Sequence, residues 1–132
     1  DNYVKDVVLV TRDISSAKEK YPNDKIITYD DLNIIKNCSL LINTTPVGMY
    51  PGIDNTPINK KYLRKFYSAV DLIYNPSQTL FLKEAEIEGL KTVNGLYMLV
   101  AQAVKSQEIW NSIEIPEKVI HDIINIFRRD NL

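Results

Sequence analysis

The sequence predicts an α/β domain, a mostly parallel sheet covered by helices. Two observations carry this. Short apolar runs alternate with stretches of helical periodicity along the chain, the pattern of strands joined by helical crossovers. Clusters of Pro, Gly, Asn and Asp separate the stretches, and these residues punctuate regular structure. The chain has 132 residues, 45% hydrophobic and 25% charged, ordinary values for one globular domain. A core of that size removes roughly two-thirds of the unfolded chain's surface from water.

Each element follows from local chemistry. Residues 6–10 (Asp-Val-Val-Leu-Val) form a continuous apolar run, as a strand buried on both faces would. Residues 14–21 carry Ala, Lys and Glu at helical spacing and stop at Pro22-Asn23-Asp24. Residues 25–28 form a second strand. Residues 30–36 form a short helix with Thr28 or Asp30 as its cap. Residues 39–43 form a third strand. Residues 44–57 hold three prolines and two glycines, which excludes regular structure there. A loop of that length in a compact domain tends to be functional. A turn of helix fits residues 59–66, and a fourth strand fits residues 67–73, ended by Tyr74-Asn75-Pro76. Residues 79–88 are helical, with Ser77 or Thr79 as N-cap and Gly89 as the stop. Residues 91–93 make a short fifth strand. Asn94-Gly95 turns into a helix over residues 96–111, and Pro116 suits the first turn of a last helix reaching about residue 128.

Sixteen basic and seventeen acidic side chains leave a net charge of −1. That offers no electrostatic case for nucleic acid or an anionic membrane, and neither partner is expected. The apolar runs, such as residues 7–10 and 40–42, fall far short of the ~20 residues that span a bilayer. The first residues lack an apolar h-region, so no signal peptide is expected. The single cysteine, Cys38, permits no internal disulfide, and the chain reads as cytoplasmic. Cys38 fits a packed, half-buried residue better than a reactive thiol. His121, the only histidine, reads as a surface or edge residue, and no metal site is expected. The four glycines are too scattered for a phosphate-cradling loop.

In parallel sheets covered by helices, ligands bind beyond the C-terminal strand ends. Four segments fall there: residues 11–13, 43–49, 72–76 and 94–98. Arg12 directly follows a strand. It reads either as a solvated arginine at a helix start or as a bidentate grip on a 2′-phosphate. Asp13 reads as a helix cap or a ribose contact. Asn43, Thr44 and Thr45 offer amides and hydroxyls suited to a sugar or pyrophosphate, although such clusters are also common turn chemistry. Gly95 would let backbone approach a ligand closely. Gln102 shares a helix face with Met98 and Leu99. In that apolar company its amide needs a partner, either structural or a substrate. Tyr74, past a strand end, reads as packing or as a second polar contact beside Gln102.

Three stretches taken together resemble shikimate dehydrogenase: Asn43-Thr44-Thr45-Pro46-Val47-Gly48-Met49, Asp71-Leu72-Ile73-Tyr74-Asn75-Pro76 with Thr79, and Asn94-Gly95-Leu96-Tyr97-Met98-Leu99 with Gln102-Ala103. Their order and spacing match that family over roughly residues 6–130. The resemblance implies a three-layer Rossmann-like domain over residues 1–132, the C-terminal dinucleotide-binding domain, lacking its first strand and glycine-rich loop. It implies an enzyme of aromatic amino acid biosynthesis that reversibly reduces 3-dehydroshikimate to shikimate with NADP(H). Thr11, Arg12 and Asp13 would meet the adenosine 2′-phosphate. Arg12 keeps the family pattern, whereas Thr11, Asp13 and Ser16 depart from it. An Arg-Asp pair also resembles the quinate/shikimate dehydrogenase branch, which can use NAD. NADP is the cofactor expected, with NAD as the alternative.

By the same resemblance, Asn43, Thr44, Thr45 and Pro46 would line the ribose and nicotinamide path. Leu72, Gly95, Met98 and Leu99 would contact the nicotinamide, and Tyr74 and Gln102 would touch the substrate. The family's catalytic lysine and aspartate lie in an N-terminal domain that no stretch here matches. No catalytic residue is therefore expected in this chain, and alone it should be inactive. In the family's strand order, 3-2-1-4-5-6, the first strand is central. A four- or five-stranded parallel sheet is expected, with the two exposed edges pairing together or inviting a homodimer or strand exchange. The rival outside the enzyme class is a non-catalytic nucleotide-binding module, but a free-standing binder would carry its own glycine loop.

Overall fold

In the computed structural model, the described residues are 4–36 and 38–129. They form two compact units divided at residue 37. The architecture is α/β with parallel pairing throughout. The five strands divide into a two-stranded and a three-stranded sheet, not one sheet of four or five.

In the first unit, β1 (Val8–Thr11) pairs in parallel with β2 (Lys25–Thr28), Val8 opposite Lys25 and Thr11 opposite Thr28. The crossover is α1 (Ile14–Lys20). Asp13 caps α1: its Oδ1 accepts the Ser16 N–H at 3.0 Å, satisfying one orphan donor of the first turn. Two sequence expectations change here. All four β1 residues are only half-buried, because a two-stranded sheet with one short helix cannot cover both faces of an apolar run. The helix after β2 is a 3-10 turn, Asp30–Ile34, whose N-cap is Tyr29 without a side-chain cap. Thr28 is instead a donor: its N–H and hydroxyl reach the Asp31 carboxylate at 3.2 and 2.7 Å. Those bonds hold Asp31 below the usual carboxylate range.

In the second unit, β3 (Cys38–Asn43), β4 (Phe66–Asp71) and β5 (Lys91–Val93) lie side by side. Asn43 is opposite Asp71, and Ile42, Val70 and Val93 share a register row. A 3-10 helix, Lys60–Lys65, precedes β4 and buries Leu63. Helix α2 (Leu80–Ile87) packs on β4 and β5 and buries Phe81, Leu82 and Ala85. Leu40, Ile42 and Val93 are about half exposed. Gly89, at φ +87°, ends α2. Its N–H bonds the Glu86 carbonyl and the Leu90 N–H bonds the Ala85 carbonyl, the paired closure of a Schellman C-terminus.

The chain then runs through β5 into α3 (Leu96–Asn111) and α4 (Glu117–Arg129). Leu96, Val100 and Val104 recur every fourth residue and so form one stripe. That stripe packs on Ile124 with Ile115, Ile120, Ile123 and Phe127. Among the described residues no helix is long and apolar enough to cross a membrane.

Candidate functional site

The first unit presents Thr11, Arg12 and Asp13 at the end of β1. The Thr11 hydroxyl oxygen accepts the Asp13 N–H at 3.1 Å, and Asp13 spends Oδ1 on the α1 cap. Arg12 is exposed, and its side chain has no hydrogen bond or ion pair among the described residues. A free guanidinium beside a helix start is available for an anion.

In the second unit the strand ends are tied together. The Asn43 side chain is buried and uses all of its amide internally. Its Nδ2 donates to the Val47 carbonyl at 3.2 Å and to Asp71 Oδ1 at 3.1 Å. Its Oδ1 accepts the Thr45 N–H at 3.0 Å and the Thr45 hydroxyl at 2.7 Å. The Val47 N–H in turn reaches the Thr45 hydroxyl oxygen at 3.2 Å. Asn43 and Thr45 therefore shape the loop, whereas Thr44 and Pro46 face solvent.

The Asn43 carbonyl accepts the Leu72 N–H at 3.1 Å, and the Ile73 carbonyl accepts the Gly95 N–H at 3.0 Å. These bonds join the ends of β3 and β4 to the start of α3. A Cβ on Gly95 would lie 2.0 Å from the Leu72 carbonyl oxygen. Gly95 therefore makes a close approach to this chain's own backbone. Gly48, at φ +100°, is buried in the 44–57 loop beside Thr79.

Met98 is 46% exposed and Gln102 is also exposed, while Leu99 is half-buried. Gln102 is thus not the buried amide expected from its apolar neighbours. The α3 stripe that turns inward is Leu96, Val100 and Val104, and Gln102 lies off it. Met98 and Gln102 together line an open groove of about 590 Å³ along α3, with Tyr97, Lys105 and Glu117. The Tyr97 hydroxyl donates to Glu117 at 3.1 Å, which raises the phenol above its usual range. Tyr74 is 44% exposed and does not line that groove. The pairing of Tyr74 with Gln102 is therefore not visible as a shared cavity.

Asp71 is not singled out by the sequence beyond its place in the stretch 71–76. It is fully buried and links Asn43, Ile73 and Thr79. The available signal was a carboxylate closing an apolar strand, a position that requires buried donors.

No protein-family model matches the chain. A curated relative, the NADP(+) shikimate dehydrogenase of Clostridium perfringens, is 46% identical over 125 residues, 93% of this chain and 46% of the relative. The crystal structure of a chorismate mutase/shikimate 5-dehydrogenase fusion protein from Clostridium acetobutylicum superposes with a TM-score of 0.93 at 48% identity, covering 98% of this chain and 47% of that one. The chain belongs to the shikimate dehydrogenase family. It spans about half the length of the curated shikimate dehydrogenases it matches. A shikimate dehydrogenase solved in complex with NADP+ superposes with a TM-score of 0.72 at 32% identity, over 89% of this chain and 45% of that one. The match to these enzymes runs through both compact units.

Proposed function

We propose that this chain is the dinucleotide-binding part of an NADP-dependent shikimate dehydrogenase, which reversibly reduces 3-dehydroshikimate to shikimate. The observation that carries this reading is the bonded set of strand-end segments, residues 43–47, 71–74 and 95, in a chain homologous to those enzymes. Arg12 takes the adenosine 2′-phosphate, with Thr11 and Asp13 beside it. Asp13 is already committed to its helix cap, which leaves Arg12 to read the 2′ position and favours NADP over NAD.

The exposed Thr44 and Pro46, on the loop held by Asn43 and Thr45, line the ribose and nicotinamide path. Leu72, Gly95, Met98 and Leu99 form the nicotinamide end, and Tyr74 and Gln102 offer polar tips to the substrate. The nicotinamide supplies the hydride chemistry, and the protein supplies position and electrostatics. No residue here is assigned the proton transfer. The purified chain is accordingly expected to show no shikimate oxidation, and turnover would overturn that assignment. The reading places the protein in the cytoplasm. It also makes the strand edges that lack a partner the places where further polypeptide, or a second copy, pairs.

The test is calorimetric titration of the chain with NADP+ and, separately, NAD+. NADP+ should bind more tightly, and Arg12→Ala should weaken it at least about tenfold, some 1.4 kcal/mol, with NAD+ unaffected. Failure of both dinucleotides to bind would sink the reading.

A further inference from the structure

The end of β4 holds a carboxylate sealed from solvent: Asp71 is 0% exposed. A group so placed is costly unless donors surround it. Asp71 finds neutral donors in three separate segments. Its Oδ1 accepts from Asn43 Nδ2 at 3.1 Å and from the Ile73 N–H at 3.0 Å. Its Oδ2 accepts from the Thr79 hydroxyl at 2.6 Å. The Thr79 oxygen itself accepts the Leu82 N–H at 3.3 Å, so its one hydrogen serves Asp71. Among the described residues no lysine or arginine takes part, so Asp71 is not half of an ion pair there.

Two of the donors lead to segments assigned to the dinucleotide, and the third to the start of α2. Asn43 shapes residues 44–47 through Thr45 and Val47. Ile73 follows Leu72, whose carbonyl faces Gly95, and its own carbonyl holds the Gly95 N–H. Thr79 starts α2 and lies beside Gly48. One buried carboxylate therefore sets the relative positions of the loop after β3, the turn after β4 and the start of α3.

We propose that Asp71 is a positioning residue for the dinucleotide site. It touches no ligand, and it holds the segments that receive the nicotinamide end in one geometry before binding. This rests on the assignment of NADP(H) to those segments. A purely structural Asp71 would lower stability without changing affinity in the folded protein, and that difference can be measured.

NADP+ is titrated into the full chain and its Asp71→Asn, Thr79→Val, Thr79→Ser and Ile123→Ala variants, each below its own melting transition. Asp71→Asn keeps the shape but places an amide donor against donors. Thr79→Val keeps the volume and removes the hydroxyl, which Thr79→Ser restores. Ile123 belongs to the α3–α4 cluster and reports what lost stability alone does to affinity. Asp71→Asn and Thr79→Val should bind NADP+ at least about tenfold more weakly, with Thr79→Ser and Ile123→Ala close to the parent. Amide resonances of Thr45, Val47 and Gly95 should shift in Asp71→Asn.

Parent-like affinity in Asp71→Asn would overturn the proposal and leave the NADP(H) assignment standing. An equal loss in Ile123→Ala would reduce the network to a structural role and overturn it too. If Asp71→Asn does not fold, the Thr79→Val and Thr79→Ser pair decides by the same criteria. If the parent chain binds no NADP+, the cofactor assignment fails and the role of Asp71 fails with it.

Discussion

At Gly95 the deciding neighbour is main chain. A Cβ there would stand 2.0 Å from the Leu72 carbonyl oxygen and 2.6 Å from its carbon, and neither atom can rotate away. Gly95→Ala is expected to cost about 3 kcal/mol or more, the upper end of overpacking effects, read from denaturant unfolding. Glu108 illustrates a milder local effect. The Ile115 N–H at 2.9 Å, and then the Lys105 ammonium at 2.7 Å, hold its carboxyl below the ordinary value of 4.5. A lowered folded pKa stabilises the protein above the unfolded value, and the benefit is lost as pH falls through the folded one. Glu108→Gln should therefore melt below the parent at neutral pH. The gap should close as the pH is taken below about 4.5, and a gap that stays constant in acid would refute the account.

At the scale of an element, α2 is bounded by local chemistry at both ends. Thr79 accepts the Leu82 N–H at its start, and Gly89 takes the left-handed backbone at its end. Nothing lies within 4 Å of a Cβ built on Gly89, so backbone strain alone decides a substitution. Gly89→Ala should lose roughly 1–2 kcal/mol, and Gly89→Asn less, because asparagine tolerates that conformation. Equal losses from thermal melts would argue against the cap as the cause. These ends were legible because each depends on residues within a few positions. The turn after β2 was less so, since Thr28 could cap or be capped, and its donation to Asp31 settled the geometry.

For the whole molecule, the two units differ in how much core they hold. In residues 4–36 the buried apolar side chains are Ile27 and Leu32. The second unit buries Leu63, Phe66, Ala69, Phe81, Leu82 and Ala85 around its sheet, and Leu96, Val100 and Val104 against α4. Two-stranded parallel pairing with so little core is marginal. Amides of β1 and β2 should exchange with deuterium well before those of β4, and uniform protection would contradict this. Among the described residues β1 pairs only with β2, and β3 only with β4. Sedimentation over a concentration series should show self-association through such edges. A monomer at every concentration would remove the second-copy reading.

The sequence by itself determined the element order, the parallel α/β class and the Gly89 stop, and it narrowed the N-cap of α2 to Ser77 or Thr79. It also carried the three motifs that resemble shikimate dehydrogenase. All of these depend on periodicity, or on residues near one another in the chain. Only the tertiary structure decided that the strands divide into two sheets, because strand pairing is a long-range choice. It also decided that Gln102 faces out, since Met98, Leu99 and Gln102 share a helix face whichever way that face turns. Asp71 is the clearest case. Its partners lie 28 residues before it at Asn43 and eight after it at Thr79, and only the register of β3 on β4 closes that distance.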